Sequence, residues 1–180
     1  NGFITVKEEK MSKSLGNFFL VRDILKKFSP EIVRFFLLST HYRSPLDFDA
    51  EKLAAAGRGL ERIRTSIRLL AEALAREEGG SPGENPDSEQ TVESLKIALD
   101  QIKASFEAAM DDDFNTALAI SIIFDLAREV NGFVQRLGAK RSGPEKEVLQ
   151  KAMGLFYSFN EITGIFTVDP AGGRILLEND

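Results

Sequence analysis

A sustained three-four spacing of apolar residues between positions 50 and 78 constrains the fold of this 180-residue chain more than any other feature. Such a seam indicates a long helix, roughly 40 Å at 1.5 Å per residue, that packs lengthwise against other helices. The chain is therefore expected to form a helical bundle. The residues of the seam are Leu53, Ala56, Leu60, Ile63, Ile67, Leu70 and Leu74.

The remaining periodic stretches predict five more helices, over about 18–28, 30–40, 91–110, 117–137 and 143–166. Ser29 followed by Pro30 is typical of a helix start. The run after it is apolar nearly all round, which predicts a buried helix. The opening residues GFITV read as a strand. The predicted fold is mainly α: an antiparallel helical bundle preceded by the C-terminal edge of an α/β domain.

The predicted organisation has three parts. Residues 1–48 form the end of one domain, residues 49–166 form the helical bundle, and residues 167–180 form a loose tail. A flexible linker, GGSPGENPDSEQ, is expected at 79–90 inside the bundle because glycine, proline and polar residues dominate it.

Composition excludes several classes of protein. The chain has no cysteine, which rules out disulfides and thiolate metal sites within it, and no stretch approaches the ~18–20 apolar residues of a membrane span. It opens without an initiator methionine or a targeting signal, so we interpret it as a segment of a longer cytoplasmic protein.

Charge is distributed unevenly along the chain. Residues 1–76 carry 14 Lys and Arg against nine Asp and Glu (+5), whereas residues 77–180 carry nine Lys and Arg against 19 Asp and Glu (−10). A polyanion is therefore expected to meet the front half.

The loop KMSKSLGN concentrates cations and hydrogen-bond donors near the start of the chain. Lys10 and Lys13 lie three residues apart, so both ammonium groups can point to one side, and Ser12 and Ser14 add hydroxyl groups. Such a loop suits a polyphosphate, with each lysine acting as a point charge. It is not a Walker P-loop, since the pattern G-x-x-x-x-G-K-[ST] is absent. For a generic run of this kind, a solvated charged loop is the favoured interpretation.

KMSKS followed by LGN resembles the signature loop of class I aminoacyl-tRNA synthetases. Its flanks, including FFLVRDIL and HYRSPLDF, resemble the cysteinyl-tRNA synthetase family. The stretch FEAAMDDDFNTALAISIIFDLAREVN is similar to that family's helical DALR-type domain. The resemblance places the front segment at the edge of a class I catalytic domain that carries the KMSKS loop, followed by a DALR-like bundle.

This resemblance implies that the parent protein joins cysteine to ATP, as cysteinyl-adenylate, and transfers it to tRNA-Cys. Lys13 and then Lys10 are the implied catalytic contacts to ATP, with Met11, Ser12 and Ser14 completing the ATP-binding loop. ATP would enter with magnesium, and the parent is expected to be a monomer. The family's His-Ile-Gly-His motif and the ligands of its zinc are absent from this chain. The chain alone should therefore be inactive.

Two groups of residues are candidate tRNA contacts. Tyr42 and Arg43 could stack on or pair with a nucleotide, or simply fix the loop after a buried helix. His41 is read as a structural residue or as sharing that contact, and Asp111–Asp113 as helix-start charge rather than a metal site. The second group is a basic face of the long helix, which would either contact tRNA phosphates or be a solvated helix surface. Its residues are Arg58, Arg62, Arg64 and Arg68.

Two other functions remain open at this stage. A mycothiol-pathway cysteine ligase would activate cysteine in the same way but pass it to an amino sugar, and the DALR-like stretch argues against it. A non-catalytic RNA-binding helical module would keep the lysine loop as a relic. The sequence upstream of the loop would separate an enzyme from such a module.

Overall fold

The computed structural model of the chain describes residues 2–6, 9–12, 14, 19–79, 88–170 and 173–177. Within these ranges it is mostly helical, with a small three-stranded sheet near the start, which confirms the predicted fold class. The elements in chain order are β1 (Ile4–Val6), β2 (Glu9–Lys10), α1 (Val21–Ile24), α2 (Pro30–Leu38), β3 (Leu46–Asp47), α3 (Ala50–Ala75), α4 (Ser88–Asp111), α5 (Thr116–Arg136) and α6 (Gly143–Thr163).

Helix α3 is the central element of the bundle. It packs against α2, α5 and α6, while α4 packs against α5 and α6. Five residues of its predicted seam are buried and two are half-buried, so the seam prediction is confirmed. Gly59 lets other rings approach this helix closely, since a Cβ there would lie 3.3 Å from the ring of Phe124 and 3.4 Å from that of Phe35.

Local sequence signals set several helix ends. Ser29 caps α2 by accepting a hydrogen bond from the backbone N–H of Ile32. At the start of α6, the Glu145 carboxylate accepts from the backbone N–H of Ser142 at 2.7 Å, as in a capping box. The same helix ends at Gly164, whose φ of 59° lies in the left-handed region that glycine adopts without cost.

The sheet has the strand order β2–β1–β3. Strand β2 is antiparallel to β1, with Lys10 opposite Thr5, and β3 is parallel to β1, with Leu46 opposite Ile4. A parallel pair needs a long crossover, and α1 and α2 form it here. The sheet therefore places Lys10 at the end of an edge strand.

Two helix predictions differ from the structure in the front segment. The stretch 18–28 contributes only the single turn Val21–Ile24. Helix α2 begins and caps as predicted, but it is not buried all round: Phe35 and Phe36 are buried, whereas Leu37 is 47% exposed. The reason is that α2 packs on the bundle along one face only.

The connections also differ in part from the predictions. Most of the expected linker, residues 80–87, lies outside the described residues, and α4 begins at Ser88 rather than near 91. The described part of the expected loose tail forms a hairpin instead. Val168 bridges Ile175, the backbone N–H of Asp169 donates to the carbonyl of Arg174 at 2.7 Å, and Ile175 is buried against the bundle. Burial of the apolar Ile175 side chain stabilises this packed arrangement relative to a tail in which Ile175 would be exposed to water.

No helix within the described residues has the length and apolar character needed to cross a membrane.

The stack between Phe106 of α4 and Phe159 of α6 generates a stability prediction. The two buried rings lie parallel, with centroids 3.9 Å apart. We expect Phe106→Ala to lower the free energy of unfolding by about 3–5 kcal/mol, because a large buried ring leaves a cavity. Guanidinium denaturation followed by circular dichroism measures this. The control is Ile97→Ala in the exposed face of the same helix; an equal loss in both variants would contradict the prediction.

Candidate functional site

The first part of the site is the end of β2 together with the residues that follow it. Lys10 is exposed, and its Nζ lies 4.7 Å from the centroid of the Phe3 ring. The backbone N–H of Met11 donates to the carbonyl of Ile4 at 3.1 Å, and Met11 is half-buried. The hairpin thus fixes the start of the motif and places the Lys10 side chain on the exposed surface. Lys13 lies outside the described residues.

Ser12 and Ser14 contact each other. Their hydroxyl oxygens lie 2.7 Å apart, and the backbone N–H of Ser14 approaches the Ser12 hydroxyl at 3.3 Å. Such a short-range side-chain to backbone bond is typical of a turn. These hydroxyls therefore shape the loop locally, and the exposed Ser14 remains accessible to solvent.

The second part of the site is the turn of residues 41–43, which lies against Asp113. The Tyr42 hydroxyl donates to Asp113 Oδ1 at 2.8 Å, and Arg43 Nη1 lies 2.8 Å from Oδ2. His41 Nε2 lies 3.8 Å from the same Oδ2, and the rings of His41 and Tyr42 stack with centroids 4.9 Å apart. The hydrogen bond to the carboxylate raises the pKa of Tyr42 above its ordinary value. One carboxylate therefore organises all three side chains.

The junction between α4 and α5 holds Asp113 in an unusual backbone conformation. Asp113 and Phe114 have φ values of 55° and 53°, and neither is glycine. Each such residue costs about 1–2 kcal/mol, and asparagine and aspartate tolerate the region best. The interpretation of Asp111–Asp113 as helix-start charge is incomplete, because Asn115 caps α5 and Asp113 faces the 41–43 turn. The one sequence feature that could have indicated this contact is an aspartate at the break between two predicted helices.

The third part is the surface of α3. Arg58 and Arg62 are exposed, and the Arg62 guanidinium lies 5.5 Å from the Phe124 ring centroid. The Arg68 side chain is 42% exposed and forms an ion pair, with Nη2 3.3 Å from Glu61 Oε1. The basic face predicted from sequence is thus formed by two open arginines and one ion-paired arginine.

The sequence predicts Arg64 on that exposed face, and this prediction is wrong. Its side chain is only 10% exposed and pairs with Glu31 of α2 and, at 3.1 Å, with Glu61. Arg64 directly follows Ile63 of the seam, so it lies at the edge of the α2–α3 contact. Glu31, 12% exposed, provides the compensating charge there.

A groove of about 530 Å³ lies between the sheet and the bundle. Its walls are mainly apolar, and Phe114, 66% exposed, stands at its edge. Its lining brings β1 and the 41–43 turn together with Phe114 and Thr116 of the α4–α5 junction. The side chains that line it include Ile4, Leu37, His41, Tyr42, Leu46 and Phe114.

Within the described part of the chain, no three His, Cys, Asp or Glu side chains are grouped to hold a metal ion. The whole sequence has no cysteine and a single histidine. These residues do not fit the zinc site that the family resemblance implies, so no step is assigned to zinc here.

Two family models match separate segments of the chain. Residues 1–58 match the family described as tRNA synthetases class I (C) catalytic domain, and residues 105–167 match the DALR domain. A solved structure of Agrobacterium radiobacter K84 LeuRS, in a ternary complex with tRNA and LeuAMS, shares the fold with a TM-score of 0.62 at 22% identity. The likeness covers 88% of this chain and 19% of that one. The family matches indicate the class I tRNA synthetases, and the solved structure shows the shared fold alone.

Curated relatives narrow the class to one family. A cysteine–tRNA ligase of Pelotomaculum thermopropionicum is 67% identical over 180 residues, which are 99% of this chain and 35% of the relative. Those of Desulforamulus reducens and Heliobacterium modesticaldum are 53% and 52% identical, covering 99% and 100% of this chain and 36% of each relative. The chain belongs to the cysteine–tRNA ligase family, and it spans about a third of the length of these relatives.

The buried position of Arg64 generates a second prediction. We expect Arg64→Ala to lower the free energy of unfolding by about 3–5 kcal/mol, because Glu31 keeps the hydrogen bond from the backbone N–H of Thr167 but loses the guanidinium that pairs with it at a largely buried contact. The matched control is Arg58→Ala on the exposed face of the same helix, which should change stability by less than about 0.5 kcal/mol. Urea denaturation measures both. If the two variants are equally stable, the Arg64 pair has no structural role.

Proposed function

We propose that the whole protein to which this chain belongs activates cysteine with ATP and transfers the cysteinyl group to tRNA-Cys. The observation that carries this proposal is the KMSKSLGN motif, at the end of a strand hairpin, in a chain 67% identical to a cysteine–tRNA ligase. The DALR match disfavours the amino-sugar ligase alternative. The chain by itself is proposed to be inactive, since the other motifs of the resemblance are absent from it.

The proposed role of the lysine segment is electrostatic. In adenylate formation, the cysteine carboxylate attacks the α-phosphate of ATP, and negative charge accumulates on the departing pyrophosphate. Lys13 is the proposed principal contact to these phosphates and Lys10 the second. Positioned cations that meet the developing charge lower the barrier without forming a covalent bond. The surface position of Lys10, on a strand paired with β1, supports this role.

The remaining loop residues are assigned supporting roles. Half-buried Met11 packs the loop against the hairpin, and the contact between Ser12 and Ser14 holds the turn. ATP is proposed to enter as its magnesium complex, the metal arriving with the substrate. The whole protein is proposed to act as a monomer in the cytoplasm. Any zinc in it would take its ligands from outside this chain.

For tRNA we propose contacts at two places. The exposed Arg58 and Arg62, with Arg68 beside them, present positive charge along α3 toward the phosphate backbone. Tyr42 and Arg43 offer an aromatic ring and a guanidinium at the edge of the groove, which suits an unstacked nucleotide. Because Asp113 already engages both, we propose that they contact RNA through their exposed faces.

The lysine assignment is tested in the whole protein. We expect Lys13→Ala to slow cysteine-dependent ATP–pyrophosphate exchange by about 10²–10³, because one transition-state donor is removed. Lys10→Ala should have a smaller effect in the same direction. The control is Lys103→Ala, a lysine on the exposed surface of α4. An exchange rate unaffected by Lys13→Ala would remove this residue from the mechanism.

The proposed contact between α3 and tRNA is tested by salt dependence. Replacing Arg58, Arg62 and Arg68 together by alanine should flatten the plot of log affinity against log salt, by roughly 0.7–0.9 for each phosphate that the variant no longer neutralises. Filter binding with tRNA-Cys between low and physiological salt measures the slope. Replacing Arg128 and Arg136 on α5 is the control, since these arginines lie outside the proposed face. An unchanged slope in the triple variant would identify a merely solvated surface.

A further inference from the structure

We propose that Asp113 is a positioning residue for transfer of cysteine to tRNA, because it fixes the orientation of the bundle relative to the sheet that carries Lys10. This inference rests on the proposed function and extends it to a residue outside the lysine motif and the arginine face. Its basis is the contact between the 41–43 turn and the α4–α5 junction.

Asp113 connects two segments that are about seventy positions apart in the sequence. Its Oδ1 accepts from the Tyr42 hydroxyl and its Oδ2 pairs with Arg43, both at 2.8 Å. Because the two oxygens bind different side chains, the contact restrains rotation of the turn as well as its distance from the junction. Tyr42 and Arg43 lie within the catalytic-domain match and Asp113 within the DALR match, so the contact joins the two.

A continuous set of hydrogen bonds leads from this turn to the lysine motif. The carbonyl of Tyr42 accepts from the backbone N–H of Gly2 at 2.8 Å, and the N–H of Leu46 donates to the carbonyl of Phe3 at 2.9 Å. β1 then pairs with β2, which ends at Lys10. Backbone hydrogen bonds therefore connect the turn, the sheet and Lys10. The orientation of the turn on the bundle therefore restrains that of Lys10.

A second contact, between Phe48 and Phe36, also restrains the orientation of the sheet on the bundle. Phe48, just beyond β3, packs edge-on against Phe36 of α2 with ring centroids 5.8 Å apart, and α2 packs on α3. The Phe48 contact and the Asp113 contact thus lie at opposite ends of residues 41–48. One contact alone would allow the sheet to rotate about it, whereas the two contacts together restrain the angle between the sheet and the bundle.

The backbone at the junction supports the assignment. Non-glycine residues with positive φ persist where the surrounding structure determines their conformation, and they cluster at functional positions. Asp113 and Phe114 are both of this kind. Their conformation places the Asp113 carboxylate at the 41–43 turn, and this contact, rather than capping of α5, accounts for the acidic residue at this position.

The consequence for the reaction differs between its two steps. Activation of cysteine uses ATP and the lysine motif, all on the catalytic side of the contact. Transfer requires a tRNA held on the bundle to bring its 3′ end to the adenylate. A displacement of about 1 Å between reacting groups can slow a reaction about a hundredfold. Loss of Asp113 should therefore slow transfer and spare activation.

The test uses the whole protein with Asp113→Asn and Asp113→Ala. Asparagine tolerates the left-handed backbone, so it removes the charge without forcing a change of fold. Asp112→Asn is the matched control, since it removes one charge from the same exposed turn. Cysteine-dependent ATP–pyrophosphate exchange without tRNA measures activation, and single-turnover transfer from bound cysteinyl-adenylate to tRNA-Cys measures the second step.

We expect the Asp113 variants to slow transfer about tenfold or more and to leave exchange within about twofold, with Asp112→Asn unchanged in both. Unchanged transfer in both Asp113 variants would overturn the inference. A parallel loss of exchange and transfer with a lowered Tm would also overturn it, because that pattern indicates a general structural role. If the unaltered protein shows no cysteine-dependent exchange, the proposed function itself fails.

Discussion

Burial of the α3 seam against three neighbouring helices is the interaction on which the rest of the structure depends. Each fully buried leucine or isoleucine of the seam contributes about 1.5–3 kcal/mol. Since α2 packs directly on α3, this helix also supports the crossover that makes β1 and β3 parallel. The lysine hairpin is thus held in place through α2 by the core of the bundle.

The contact of the 41–43 turn with Asp113 adds a second connection between the two halves of the chain. The front half supplies an excess of cations and the back half an excess of carboxylates, and Arg43 and Asp113 form a direct ion pair between the two halves. Tyr42 and Arg43 therefore have a structural role at this contact, and their binding of RNA is our proposal. Their polar tips bind Asp113, while both side chains remain largely exposed.

The elements predicted best are those with local physical causes. The seam of α3, the Ser29 cap and the start of α6 follow from periodicity and from side chains that bind their own helix ends. The errors concern residues whose environment comes from distant segments. Arg64 is buried because Glu31 of α2 faces it, and the segment around Ile175 is ordered because the bundle offers an apolar surface. The role of Lys13 stays a prediction from the motif, since this residue lies outside the described residues.

The sequence by itself determined the helical periodicity, the separation of charge and the lysine motif, because each depends only on residue types at short spacing. It also carried the resemblance that the family matches support. Only the tertiary structure decided which arginines of α3 are open and that Asp113 meets Tyr42 and Arg43. The physical reason is that a pairing between distant residues depends on how helices pack, and no local spacing encodes that geometry.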